Sequence, residues 1–104
     1  MKSLKVLTLK GCSHCKSVKE ELAANSILFE DLDADENDEL ADSVEDMIVV
    51  DSYPIALIEE RKHTTFIYIT SDGAKLGPRR LGPNVLAIGC IDSESLLKNV
   101  ISNM

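Results

Sequence analysis

Leu7-Thr8-Leu9-Lys10-Gly11-Cys12-Ser13-His14-Cys15-Lys16-Ser17-Val18-Lys19-Glu20-Glu21-Leu22 decides how the rest of the chain is read. Upstream, Leu4 to Lys10 reads as a buried strand: Leu4, Val6, Leu7 and Leu9 are apolar, and Gly11 breaks the run. Downstream, Lys16 to Asn25 reads as a helix, with Val18 and Leu22 one turn apart and Ala23 beside them. Two cysteines three residues apart therefore sit where a strand stops and a helix starts. Cys12 falls at the helix N-terminus and Cys15 one turn inside it. The first N–H groups of a helix are unsatisfied, and together with the helix dipole they favour a thiolate at Cys12. A C-x-x-C on a βα turn, in a chain whose start carries no secretion signal, points to thiol–disulfide exchange.

At 104 residues the chain is expected to form one domain, 1–104. An apolar fraction of 44% with two Phe, two Tyr and no Trp predicts an aliphatic core, with a surface groove rather than a deep pocket. No apolar run approaches the roughly 18 residues of a membrane span, so a soluble protein without a membrane partner is expected. Met1-Lys2-Ser3-Leu4 runs straight into the first strand, without the apolar stretch and cleavage site of a signal peptide. Three cysteines are too few for a disulfide framework, which fits a reducing, cytoplasmic setting.

A net charge of −7 argues against nucleic acid as a partner. The acid is concentrated: from Glu30 to Asp46 there are Asp and Glu throughout and no Lys or Arg. This reads as a solvated helix face with its loop rather than as a docking surface. Basic residues lie instead at Lys10, Lys16 and Lys19 near the cysteines, and at Lys75, Arg79 and Arg80 further on.

Asn25 suits the end of the first helix, because Asn tolerates the left-handed conformation. Ile27 to Leu32 reads as a second strand, parallel to the first across the helix. Asp33 to Asp38 is a polar connection, and Glu39 to Met47 a second helix burying Leu40, Val44 and Met47. Ile48 to Ser52 leads to Tyr53-Pro54. Ile55 to Ile58 is a third strand, Lys62 and His63 a turn, and Thr65 to Thr70 a strong β-branched and aromatic strand. Ser71-Asp72-Gly73 is a turn signal. Leu76-Gly77-Pro78 is echoed by Leu81-Gly82-Pro83, and two Gly-Pro pairs predict a loop. Val85 to Ile88 reads as one more short strand or an unpaired extension. Asp92 or Ser93 caps a last helix whose buried face is Leu96, Leu97, Val100 and Ile101.

This order of elements, opened by the dithiol, resembles the thioredoxin fold in its glutaredoxin form. Leu7 to Leu22 is similar to the family's strand, dithiol and first helix, and Ile27 to Glu36 to its second strand and acidic loop. Ser52-Tyr53-Pro54 takes the place of its Thr-Val-Pro turn. Ile88-Gly89 and Asp92 resemble the Ile-Gly-Gly-x-x-Asp turn before its last helix, with Cys90 in place of the second glycine. The resemblance implies an α/β, three-layer, thioredoxin-like fold. Its four-stranded mixed sheet and three main helices would be followed, before the last helix, by a long loop or an extra strand.

The resemblance also implies a function: a monomeric disulfide oxidoreductase using glutathione as co-substrate, with no bound cofactor or metal. Its partners would be disulfide-containing proteins such as a ribonucleotide reductase. Cys12 would be the nucleophile and Cys15 the resolving thiol. Lys10, Ser13, His14, Tyr53, Pro54, Gly89 and Asp92 would surround substrate or glutathione, with Pro54 cis and facing the dithiol. Three of them also have a plainer reading: His14 as an exposed neutral imidazole, Lys10 as a strand-end lysine in water, Ser13 as a helix cap. Cys90 reads as a buried small residue rather than a third redox partner. Thioredoxin reductase as the electron donor, and a module holding a metal or iron–sulfur cluster, are the alternative readings. Strand parity leaves one further question. A β-hairpin followed by one more antiparallel strand would carry Gly89 and Asp92 away from the dithiol. A single return crossing would leave them beside it, and this second arrangement is the expectation.

Overall fold

β1 (Lys2–Thr8) forms where Leu4, Val6 and Leu7 can be fully buried, and it lies inside the sheet rather than at its edge. The computed structural model of the chain describes residues 2–48 and 52–104. After β1 come α1 (Ser13–Ala24), β2 (Glu30–Asp33), α2 (Asp38–Met47), β3 (Ser52–Glu60) and β4 (His63–Ile69). A short 3₁₀ turn at Gly73–Lys75 leads to β5 (Gly77–Gly82), β6 (Val85–Cys90) and α3 (Ser93–Asn103). The sheet order is β2-β1-β3-β4-β6-β5. β1 pairs parallel with β2 and β4 parallel with β6; the pairs β1–β3, β3–β4 and β5–β6 are antiparallel.

The sheet buries both faces, so consecutive residues of its central strands enter different clusters. Val6, Ala56, Ile58, Ile67 and Ile88 pack with Val18 and Leu22 of α1 and Leu96 and Val100 of α3. Leu7, Ile55, Leu57, Phe66, Tyr68 and Ala87 turn to the other face, with Ala41 and Val44 of α2. The result is the expected three-layer α/β arrangement with three helices and a mixed sheet.

The sheet has six strands, not four. The segment expected to be a loop around its two Gly-Pro pairs contains β5. Pro78 has no N–H to donate, and an edge strand is where a sheet tolerates that. Smaller departures have local causes. α1 starts at Ser13, three residues before the predicted Lys16, because Cys12 itself caps it. The left-handed residue after α1 is Ser26 at φ 58°, while Asn25 bonds its side chain back to the Glu21 carbonyl at 2.7 Å. β2 begins at Glu30 rather than Ile27, since its pairing with β1 starts at Lys5 opposite Glu30. His63 belongs to β4 rather than to the turn. α2 buries Ala41 and Val44 and leaves Met47 exposed, and Ala23 of α1 and Ile101 of α3 are also exposed. The predicted lead-in from Ile48 to Ser52 falls mostly on residues 49–51, outside the described residues.

The register decides which end of the sheet each residue occupies. Leu7 lies opposite Ile55, Ser52 opposite Ile69, and Ile69 beside Cys90. The ends of β1, β4 and β6 and the start of β3 are therefore at one end, where Cys12 also lies. β5 supplies the outward crossing that allows β6 to return parallel to β4. Gly89 and Asp92 are thus at the dithiol end, as expected, but by way of the β3–β4 hairpin plus two further strands rather than a single return crossing.

Candidate active site

Gly11 at φ 75° turns the chain out of β1, and the Cys12 N–H closes the turn on the Leu9 carbonyl at 3.3 Å. A φ of that sign is cheap for glycine and strained for other residues. The turn delivers Cys12 to the N-cap of α1 in extended conformation. Cys12 and Cys15 form a disulfide with their Cα atoms 5.3 Å apart. Cys12 is partly exposed, whereas Cys15, on the inward side of the first helical turn, is 1% exposed. The Cys15 N–H donates to Cys12 Sγ at 3.1 Å, so one of the helix's unsatisfied donors is aimed at this sulfur.

The opposite wall comes from the start of β3. The Tyr53–Pro54 peptide bond is cis and Pro54 is buried. The Tyr53 carbonyl oxygen lies 3.6 Å from Cys12 Sγ. The Tyr53 hydroxyl donates to Glu45 Oε1 of α2 at 3.1 Å. Burial pushes the Tyr53 phenol up to about 12, helped by the hydrogen bond and charge of Glu45 and by the charges of Asp35 and Asp42.

Between these walls runs a groove of about 520 Å³ lined by Leu9, Gly11, Cys12, Ser13, His14, Glu45, Ser52 and Tyr53. Of the residues predicted for the site, Cys12, Ser13, His14 and Tyr53 line it. Cys15 lies beneath its floor, and Pro54 adjoins it through Tyr53. Ser13 is an exposed first helical residue, and the capping atom is Cys12 Sγ rather than its hydroxyl. Lys10 is exposed in a neighbouring depression with Lys19, Asp31, Asp33 and Glu36.

Gly89 and Asp92 share the dithiol end but do not line the groove. Gly89 pairs with Tyr68 and Gly77 inside the sheet, two strands beyond β3. Asp92 caps α3, its Oδ1 accepting from the Ser95 N–H at 2.8 Å, and that bond holds its carboxyl below the usual range. Cys90 is buried against the α1–α3 face, where burial raises its thiol to about 11 and Asn99 donates to its sulfur at 3.5 Å. Glu45 was not among the predicted site residues. In the sequence it is one acid among many, and only the docking of α2 beside Tyr53 distinguishes it. Among the described residues, no three His, Cys, Asp or Glu side chains cluster as metal ligands, and no helix is long and apolar enough to cross a membrane.

A thioredoxin-like sheet with a dithiol capping its first helix, opposite a cis-proline strand, defines a class of thiol–disulfide proteins. The chain belongs to the glutaredoxin family, whose sequence model matches residues 4–62. That stretch runs from β1 through β3 and contains the dithiol, Glu45 and Tyr53-Pro54. No curated protein and no solved structure matches the chain.

Proposed function

We propose that the protein reduces protein disulfides or glutathione mixed disulfides through Cys12 and Cys15. The Cys12 thiolate attacks a substrate sulfur, the substrate S–S bond breaks, and the departing thiolate takes a proton. The Cys15 thiolate then attacks Cys12 Sγ, releasing the second substrate thiol and forming the Cys12–Cys15 disulfide. The substrate gains two electrons and two protons. Two glutathione molecules restore the dithiol by the reverse exchanges, with thioredoxin reductase as the alternative donor. Ser13, His14, Tyr53 and Pro54 frame the attacked disulfide. Lys10, in the neighbouring depression, and Asp92, at the N-cap of α3, lie outside the groove and would meet only the outer carboxylates and ammonium of glutathione, and Gly89 lets the chain pack closely at that end. We place the protein in the cytoplasm as a monomer acting on partners of the ribonucleotide reductase kind.

The observation that carries this reading is the asymmetry of the pair: Cys12 partly exposed with the Cys15 N–H 3.1 Å from its sulfur, Cys15 buried. The backbone donor stabilises a thiolate at Cys12, and burial withholds Cys15 from outside disulfides. Iodoacetamide alkylation of the reduced protein against pH should modify Cys12 first, with an apparent pKa well below the ~8.5 of free cysteine. Cys12→Ser should abolish disulfide reduction. Cys15→Ser should abolish dithiol reduction of proteins and keep turnover of glutathione mixed disulfides. First alkylation at Cys15, or full activity in Cys12→Ser, would reverse the assignment. Reduction of the oxidised protein by glutathione with its reductase, run beside thioredoxin reductase, identifies the donor.

A further inference from the structure

The charge lining the groove bears on which disulfides it accepts. Glu45 is the charged carboxylate in the lining, and its Oε1 is held 3.1 Å from the hydroxyl of the residue whose carbonyl touches Cys12 Sγ. Asp35 and Asp42 stand close enough to raise the same phenol. Among the described residues no Lys or Arg lines the groove. Lys10 and Lys19 face the neighbouring depression, where Lys19 is paired with Asp31 at 2.9 Å. Arg79 and Arg80 lie on β5 at the far edge of the sheet, and the Arg79 guanidinium is bonded to the Tyr68 hydroxyl at 2.7 Å. The net charge of −7 adds a long-range field of the same sign.

Resting on the dithiol reading above, we propose that Glu45, reinforced by the charges of Asp42 and Asp35, makes the groove select polypeptide disulfides flanked by Lys or Arg over anionic partners, glutathione included. Glutathione brings two carboxylates and one ammonium to a wall of like charge. A polypeptide disulfide brings the charge of its neighbours, and a basic neighbour meets complementary charge. The exchange chemistry is unchanged: Cys12 forms a bond to the substrate sulfur and the leaving thiolate departs. The wall acts on the encounter and on the mixed disulfide, where opposite charges favour association and like charges oppose it.

The test uses one cysteine peptide, activated as a thionitrobenzoate mixed disulfide, with the cysteine flanked by Lys, by Ser or by Glu. The reduced protein is mixed with each, and release of thionitrobenzoate gives a second-order rate. At low salt the Lys peptide should react about tenfold faster than the Glu peptide, and the ratio should fall below about twofold at ~0.5 M salt. Glu45→Gln should reduce the low-salt ratio by about threefold, and an Asp35→Asn, Asp42→Asn double variant should lower it in the same direction. Equal rates for the three peptides with wild-type protein, or the wild-type ratio persisting in both charge variants, would overturn the selection. A wild-type protein inert even toward the Ser peptide would instead overturn the dithiol reading itself.

Discussion

Tyr53 serves the site with both of its ends. Its carbonyl approaches Cys12 Sγ at 3.6 Å, and its hydroxyl reaches α2 at Glu45. Its phenol is raised from 10.0 to about 12, first by burial and then by Glu45, so the folded protein holds this proton more tightly than the unfolded chain. The sign follows: the contribution to stability is fully present below about pH 10 and is lost as pH rises through about 12. Urea unfolding midpoints measured across that range should therefore fall less steeply for Tyr53→Phe than for wild type. An unchanged slope would show that the Tyr53 phenol ionises normally. The sequence marks Tyr53 as the residue before a proline and, through the resemblance, as a neighbour of the substrate, but gives no partner for its hydroxyl. Its hydroxyl's partner lies eight residues earlier and becomes a neighbour through the packing of α2 on the sheet.

At the level of elements, β5 and the 3₁₀ turn before it explain Gly89. A Cβ on Gly89 would occupy the space of the Lys75 carbonyl oxygen and would press on Thr70 Cγ2 at 3.0 Å. The obstacle is backbone, which gives way less readily than the end of a side chain. Gly89→Ala should therefore destabilise the fold by about 1–3 kcal/mol, read from urea or thermal unfolding. A change within about 0.5 kcal/mol would mean that the Gly73–Lys75 turn shifts freely. This glycine is a strand residue under a crossing segment. The resemblance to a glutaredoxin turn located it at the correct end of the sheet and assigned it the wrong element. β5 itself escaped the sequence reading because its two Gly-Pro pairs are loop signals, and the edge position at which a sheet accommodates them is a property of the assembled sheet.

Across the whole molecule, a side-chain hydrogen bond inside an apolar layer links the edge strand β5 to β4, in addition to the backbone ladders that run through β6. Tyr68 of β4 is fully buried, and its hydroxyl accepts from Arg79 Nη2 of β5 at 2.7 Å. Arg79 Nε is buried beside it without a hydrogen-bond partner in the described structure. Tyr68→Phe would leave the guanidinium with a further unsatisfied donor, and should cost about 1.5 kcal/mol in unfolding free energy. Amide exchange should quicken in β5 more than in β1. Uniform loss of protection would show that β5 and the central strands open as one unit.

Local rules sufficed for much of this protein. The dithiol spacing, the glycine before it and the apolar steps of α1 and α3 depend on neighbours in the chain. So Cys12 and Cys15, the βαβ start and the three helices were legible in the residues themselves. The tertiary structure decided the rest, because each remaining feature needs a partner distant in sequence. Pro78 lies in a strand only because β6 is beside it. Gly89 returns to the dithiol end only because β5 supplies the extra crossing. Glu45, one carboxylate in an acidic run, becomes part of the groove only because α2 sets it against Tyr53.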